Sequence, residues 1–255
     1  MLLGRFILRF RNQEWTAIVV ELFVVVGGVF FGIQAANWNA NRLEQEEGRL
    51  IVERLTVDLR KDLDSRSELV RYYQAVLESG ERTVTRLNAE SIYDPSAFVV
   101  DAYRATEYAH RPPTRAAFDE IISSGKLGLI PADPRQAGII TYFSNDNSTA
   151  MREAVRASPY RLRVRRLLPH DVQVAIRAGC SDVVNDRFEI VGFSEICELG
   201  LPVERLEDAA AILKSDPELL ADLRLHFSVI NSQFPNFRGE VVNLKATIEA
   251  LESAK

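Results

Sequence analysis

The chain has 255 residues, 47% of them apolar and 26% charged, with 13 Gly, 10 Pro and 2 Cys. That length supplies a core for one large domain or two small ones; the apolar content excludes intrinsic disorder, and the cysteine count excludes a disulfide-dense scaffold. Of 31 basic and 36 acidic residues, three Arg and two Glu fall in residues 1–38, which leaves 28 basic and 34 acidic side chains for the remainder. A mildly acidic body argues against nucleic-acid binding, which needs a basic footprint.

Residues 1–14 alternate apolar groups with Arg5, Arg9 and Arg11 and hold no acid before Glu14. They read as a basic interfacial segment on the cytoplasmic side. From Trp15 to Ala36 the chain is apolar but for Thr16, Glu21 and Gln34, and its 22 residues make roughly 33 Å of helix, enough to cross the hydrocarbon layer. Trp15 and Trp38 bracket the stretch at the levels where interfacial aromatics sit. We expect a transmembrane helix over 15–38. The positive-inside rule then puts residues 39–255 outside the cytoplasmic membrane, in the periplasm of a Gram-negative cell. A cleaved signal peptide is the competing reading. Against it stand the length of the apolar stretch, the interruption at Glu21 and the lack of a clean A-x-A site.

Within the span, Ala17, Glu21, Val25, Gly28, Gly32 and Ala36 recur every three or four residues and share one helix face. Gly28-x-x-x-Gly32-x-x-x-Ala36 is a stripe of small residues that lets helices approach closely, and an intramembrane carboxylate usually faces protein. The stripe is expected to pack on a second copy or on another membrane protein. Alternatively, Glu21 is protonated or reaches back to the inner surface and binds nothing.

Beyond Trp38 the pattern is helical. Apolar residues from Leu43 to Leu87 recur mostly at three, four or seven, with no Pro before Pro95. We expect one amphipathic helix over 39–88 continuing out of the membrane, about 70 Å long if unbroken, as a stalk and one wall of a bundle. A strict coiled coil is disfavoured because the heptad register of the apolar residues drifts. Asp94-Pro95, Asp133-Pro134 and Asp216-Pro217 each set a capping acceptor before a Pro suited to the first helical position. Thr114 is expected to cap a helix over 115–124 that stops at Gly125. Further helices are expected over 134–145, 149–178 (bent near Pro159 and Pro169), 203–214 and 217–252, with Pro235 kinking or splitting the last. Only 182–194 has strand character, too short for a sheet of its own. The fold class is all-α, a bundle-like body whose first and last long helices are neighbours.

The run Glu21…Gly28…Gly32…Asn37-Trp38-Asn39…Arg42 resembles an uncharacterised family of single-pass bacterial membrane proteins. The segment from Phe118 to Ile130, followed by a short helix ending in Tyr142-Phe143, is similar to that family's helix-turn unit. These motifs cover about a quarter of the chain. The resemblance implies the topology and the helical fold; the family has no assigned activity, so it implies no catalytic residue.

Chemistry-bearing residues are few. His110, His170 and His226 have no second His or Cys at ligand spacing, and no phosphate loop, nucleophile elbow or dinucleotide fingerprint occurs. No metal or cofactor is expected. Cys180 and Cys197, 17 residues apart, are expected to be joined if the body is extracytoplasmic; two separately buried thiols or a labile redox pair are the alternatives. Arg152, Arg156, Arg161, Arg163, Arg165 and Arg166 cluster with only Glu153 opposing them. They suit acidic head groups, an anionic ligand or an acidic partner, but pairing with the acid-rich first helix inside the bundle is the favoured reading. Tyr72, Tyr73, Tyr103, Tyr108, Tyr142, Phe143 and Tyr160 read as core before pocket.

The expectation is therefore a non-enzymatic, membrane-anchored helical protein. Its partners would be the lipid bilayer and either further copies of itself or other membrane subunits, with no nucleic acid. The alternative is a periplasmic ligand-binding sensor domain. With about 14 residues before the span, it would have to signal through a partner's helix.

Overall fold

The computed structural model describes residues 15–130 and 134–253, and of 134–137 only the backbone; the basic segment 1–14 and the capping residue Asp133 lie outside the described residues. Of the described residues 77% are helical and 3% are in strands, the all-α class expected from the periodicity. It divides into two compact units, Met1–Glu53 and Arg54–Lys255.

Helix α1 runs unbroken from Trp15 to Asn88. In the first unit it carries the apolar stretch, with Val24, Phe30, Phe31 and Trp38 exposed. It is long and apolar enough to cross a membrane. In the second unit its buried positions include Leu55, Leu59, Asp62, Arg66, Leu69, Tyr73, Val76, Gly80 and Thr83, with Thr56, Ser65, Tyr72, Leu77 and Ser79 buried on their flanks. The former alternate by four and three without a slip, which is the spacing of a packing seam. Counted over apolar residues alone the register drifts; counted over these buried positions of either kind it does not. Asp62, Arg66 and Thr83 occupy seam positions, and a count of apolar residues skips them.

Helix α2 (Pro95–Arg104) starts as predicted: Asp94 Oδ1 accepts from the Ala97 N–H at 2.9 Å, with Pro95 in the first turn. Arg82 and Arg86 of α1 both hold the buried Asp101 of α2. Helix α3 (Ala116–Ser123) is not capped by Thr114, whose N–H donates to both carboxylate oxygens of Asp62 at 3.0 Å; Arg115 stands at the cap position and makes no side-chain capping bond. Its C-terminus closes as predicted. Gly125, at φ +70°, and Lys126 send their N–H groups back to Ile122 and Ile121. A short 3-10 turn, Leu127–Leu129, leads to α4 (Pro134–Ser144).

The helix expected over 149–178 is three helices: α5 (Asn147–Arg156), α6 (Pro159–Leu167) and α7 (His170–Gly179). The two prolines separate helices where a bend was expected. Ser158 and Leu168 precede them with ψ near 130°, the extended conformation that a following proline ring imposes. Asp146 caps α5 through the Thr149 N–H, a start earlier than expected. Residues 182–194 form a two-stranded antiparallel hairpin, β1 (Asp182–Val184) and β2 (Ile190–Phe193), rather than an unpaired stretch. In its turn, Asn185 Oδ1 accepts from the Arg187 and Glu189 N–H groups, and Phe188 sits at φ +60°.

Helix α8 is Val203–Ser215 and α9 is Leu219–Ser253. The last helix begins two residues later than Asp216-Pro217 suggests, because the Asp216 carboxylate accepts from Glu218 N–H and so caps the preceding turn. Pro235 does not split it; α9 passes through that position.

Two apolar clusters stand out among the described residues of the body. One gathers Phe98, Tyr103, Tyr160, Val164, Val172, Ile176, Leu213 and Leu223 from α2 and α6 to α9. The other joins α1, α5 and α9 through Leu69, Tyr73, Val76, Met151, Val155, Ile230 and Phe237, with Tyr73 and Phe237 stacked at 5.7 Å. The first and last long helices are therefore neighbours, as expected. Gly80 permits part of that approach: a Cβ there would meet the Phe227 ring at 2.7 Å.

Candidate functional site

The six positions expected to pack on a partner helix in the membrane lie on one helix, where 3.6 residues per turn sets them within an arc of about 100°. Glu21, Val25, Gly28, Gly32 and Ala36 are exposed and Ala17 is half-buried. A Cβ added at Gly28 or Gly32 would meet nothing within 4 Å, so nothing described in this chain fills the small-residue stripe.

Cys180 and Cys197 are joined, with Cα atoms 4.4 Å apart. The bond ties the end of α7 to the loop after the hairpin. Gly179 makes this possible, because a Cβ on it would lie 1.9 Å from the Glu198 carbonyl oxygen.

The arginine cluster does not form one site, nor does it pair with α1. Arg161 and Arg165 turn to the segment after α2. Arg161 donates to the Thr106 carbonyl and lies 3.7 Å from Glu107, whose other oxygen is 2.5 Å from Arg165. Arg163 pairs with Asp222 at 2.6 Å and with Asp216 at 3.4 Å. Arg152 meets only its neighbour Glu153, Arg166 bonds the Leu162 carbonyl of its own helix, and Arg156 is exposed. Successive helical residues point in different directions, so a run of charges in sequence disperses around α5 and α6.

The histidines are likewise apart, and no group of three metal-binding side chains occurs among the described residues. His226 is buried between Ser158 and the Ala105 carbonyl at 2.8 and 2.9 Å. The carbonyl can only accept, so Nε2 carries the proton and Nδ1 accepts from the serine. Burial lowers its pKa to about 4, and the side chain is a neutral core group at neutral pH. His110 bonds Thr149 at 2.9 Å, and His170 opens α7 in an exposed position. Most of the singled-out aromatics are core. Tyr103 is buried but also lines a cleft, and Tyr108 is half-buried and lines another.

Two clefts flank the hairpin, and Ile190 belongs to both. The first, about 400 Å³, is lined by Asp62, Ser65, His110, Arg111, Arg187 and Glu189 among others. Its polar groups are matched to one another. Asp62 accepts from Thr114 N–H and, at 2.8 Å, from Tyr142. Arg111 donates to the carbonyls of Ser65 and Ile190 and to Glu68. Arg187 and Ser65 both hold Glu189.

The second cleft, about 340 Å³, lies among the end of α2, the end of α7 and the hairpin. Ile176, Val184, Ile190 and Phe193 give it apolar walls; Tyr103, Arg104, Glu107, Arg177 and Asp182 give it polar ones. Arg165 lies over the Tyr103 ring at 3.4 Å, and Arg177 Nε donates to the Tyr103 hydroxyl at 2.8 Å. Arg104 donates to the Ser194 carbonyl at 2.8 Å and lies 5.0 Å over the Phe193 ring, while its buried Nε has no acceptor among the described residues. Burial, then the Glu107 charge, push the Asp182 carboxyl up to about 6, against the pull of Arg104 and Arg165. Sequence reasoning missed this site. Its charged residues come from three separate elements with no common spacing, and only Arg165 behind Tyr103 belonged to a visible cluster.

No family model, curated protein or solved structure matches this chain.

Proposed function

We propose that the chain is a single-pass protein of the bacterial cytoplasmic membrane that acts by association rather than by chemistry. It either self-assembles or serves as an accessory subunit of a larger membrane assembly, with residues 1–14 cytoplasmic and the body periplasmic. The observation that carries this reading is the helix Trp15–Asn88. Its most apolar stretch has a mean hydropathy of 2.4 with none of it buried within the chain, and it continues as one helix into the folded part. The unfilled stripe of Gly28 and Gly32 beside Glu21 supports helix–helix contact in the bilayer. The bond between Cys180 and Cys197 supports an oxidising compartment for the body. The resemblance to single-pass bacterial proteins agrees with this topology.

The test is purification of the intact protein in a mild detergent, with its mass and its co-purifying proteins determined. A homo-oligomer or a stoichiometric membrane partner is expected, and Gly28→Leu and Glu21→Leu should each reduce that association. A lone monomer, or assembly indifferent to both substitutions, overturns the reading.

A second reading, a ligand-binding domain that signals through a partner's helix, is favoured by one feature. The Asp182 cleft holds a buried Arg104 Nε that has no acceptor among the described residues.

A further inference from the structure

The clefts on either side of the hairpin differ in what their polar groups have left to offer. Around Asp62 and Arg111 every charged group is engaged within the protein. Around Asp182 the inventory does not close. Glu107 is taken by Arg161 and Arg165. Arg177 uses only Nε, on Tyr103, so its two terminal nitrogens have no acceptor among the described residues. The Arg104 Nε is buried with none. Asp182 lines the cleft half-buried and accepts no hydrogen bond there. Arg177 is exposed and its free nitrogens face water, but the Arg104 Nε and the half-buried Asp182 carboxylate are withdrawn from water and unmatched, which destabilises a fold unless something else engages them.

The balance of charge narrows what that is. Arg104, Arg161, Arg165 and Arg177 face Glu107 and Asp182, so a simple cation meets a surplus of positive charge. A simple anion small enough to reach Arg104 meets the Asp182 carboxylate in the same space. A molecule carrying both charges satisfies both ends. The volume, about 340 Å³, is at the small end for ligand sites, and one wall is apolar.

We infer that this cleft binds a small zwitterion of the amino-acid class, its carboxylate on Arg177 and Arg104, its ammonium on Asp182, and its side chain against Ile190 and Phe193. The inference rests on the second reading above and is independent of how the membrane helix assembles. Guanidinium groups suit the role because their N–H groups match a carboxylate two at a time. The hairpin suits it because its β2 strand is held from both sides: Arg111 bonds the Ile190 carbonyl and Arg104 the Ser194 carbonyl, so the apolar wall is preformed.

The experiment is thermal unfolding of the intact protein in detergent with each standard L-amino acid in turn, followed by calorimetric titration of those that raise the midpoint. Each is compared with two single-charge analogues, the acid lacking the amine and the amine lacking the acid. At least one amino acid should raise the midpoint in a concentration-dependent way. Its single-charge analogues should bind at least about tenfold more weakly, since each leaves one end of the cleft unmatched. Asp182→Asn and Arg177→Gln should each weaken binding by about tenfold or more with the helical circular dichroism unchanged. Arg166→Gln, outside the cleft, should leave binding as it was. Equal binding of an analogue and its parent, or binding that survives both cleft substitutions, overturns the inference. A response only to single-charge compounds (succinate, phosphate and putrescine as probes) overturns the zwitterion while leaving a ligand-binding domain standing. Silence across both series overturns both.

Discussion

Asp182 and His226 titrate in the same pH range and act on stability in opposite directions. The Asp182 carboxyl is pushed up to about 6 by burial and by Glu107, so the folded protein holds its proton more tightly than the unfolded chain does. Arg104, Arg165, Arg177 and Tyr103 are the other polar groups at the cleft or behind it. Stability from Asp182 is therefore lost as pH rises from about 4 through about 6. His226, lowered to about 4 by burial, is neutral when folded, and its contribution is lost as pH falls from about 6.5 through about 4. Asp182→Asn should thus stabilise the protein at neutral pH and change little below about pH 4. It should also steepen the acid loss of stability, because His226 is then unopposed. Unfolding midpoints across that range, for the protein and the variant, check both outcomes. Neither residue was legible in sequence as more than one acid and one histidine, because a pKa belongs to an environment that distant segments assemble.

At the scale of elements, the local signals were read well where the chemistry is local. The cap at Asp94, the stop at Gly125 and the unbroken α1 each depend on a handful of adjacent residues. Readings failed where a distant group competed. Helix α3 is entered at Arg115 rather than Thr114, with its Ala117 N–H on Asp58 of α1, and Asp62 and Arg66 concealed the seam because buried charges break an apolar count. Gly179 is the element-scale position most intolerant of change. Gly179→Ala would drive a Cβ into the Glu198 carbonyl at 1.9 Å, on a backbone held by the neighbouring disulfide, and overpacking of that kind costs about 1–3 kcal/mol. Denaturant unfolding of the alanine variant measures it; a change within a few tenths of a kcal/mol would mean that the 197–199 backbone moves freely.

At the scale of the whole body, α1 and α9 are joined through a buried ion pair as well as through apolar packing. Arg66 is 1% exposed and Glu240 7%; Arg66 Nε lies 2.8 Å from Glu240 Oε2 without hydrogen-bond alignment, Arg66 Nη1 donates to the Arg111 carbonyl at 2.5 Å, and Asn147 of α5 donates to Glu240 at 2.6 Å. Removing one partner strands the other charge. Arg66→Met should therefore cost about 3–5 kcal/mol, and the double variant Arg66→Met with Glu240→Leu should recover most of that loss. A double-variant cycle by chemical unfolding checks the coupling. The sequence by itself determined the helical class, the apolar span, the long first helix and most helix starts, because these follow from residue spacing and from caps within a turn of one another. Tertiary structure alone decided that three helices occupy 147–179, that the arginines disperse and that 182–194 pairs with itself. It also decided that Arg104, Arg177 and Asp182 meet in one cleft. Each of these depends on which backbone and side-chain groups have already found partners, and those partners lie far away along the chain.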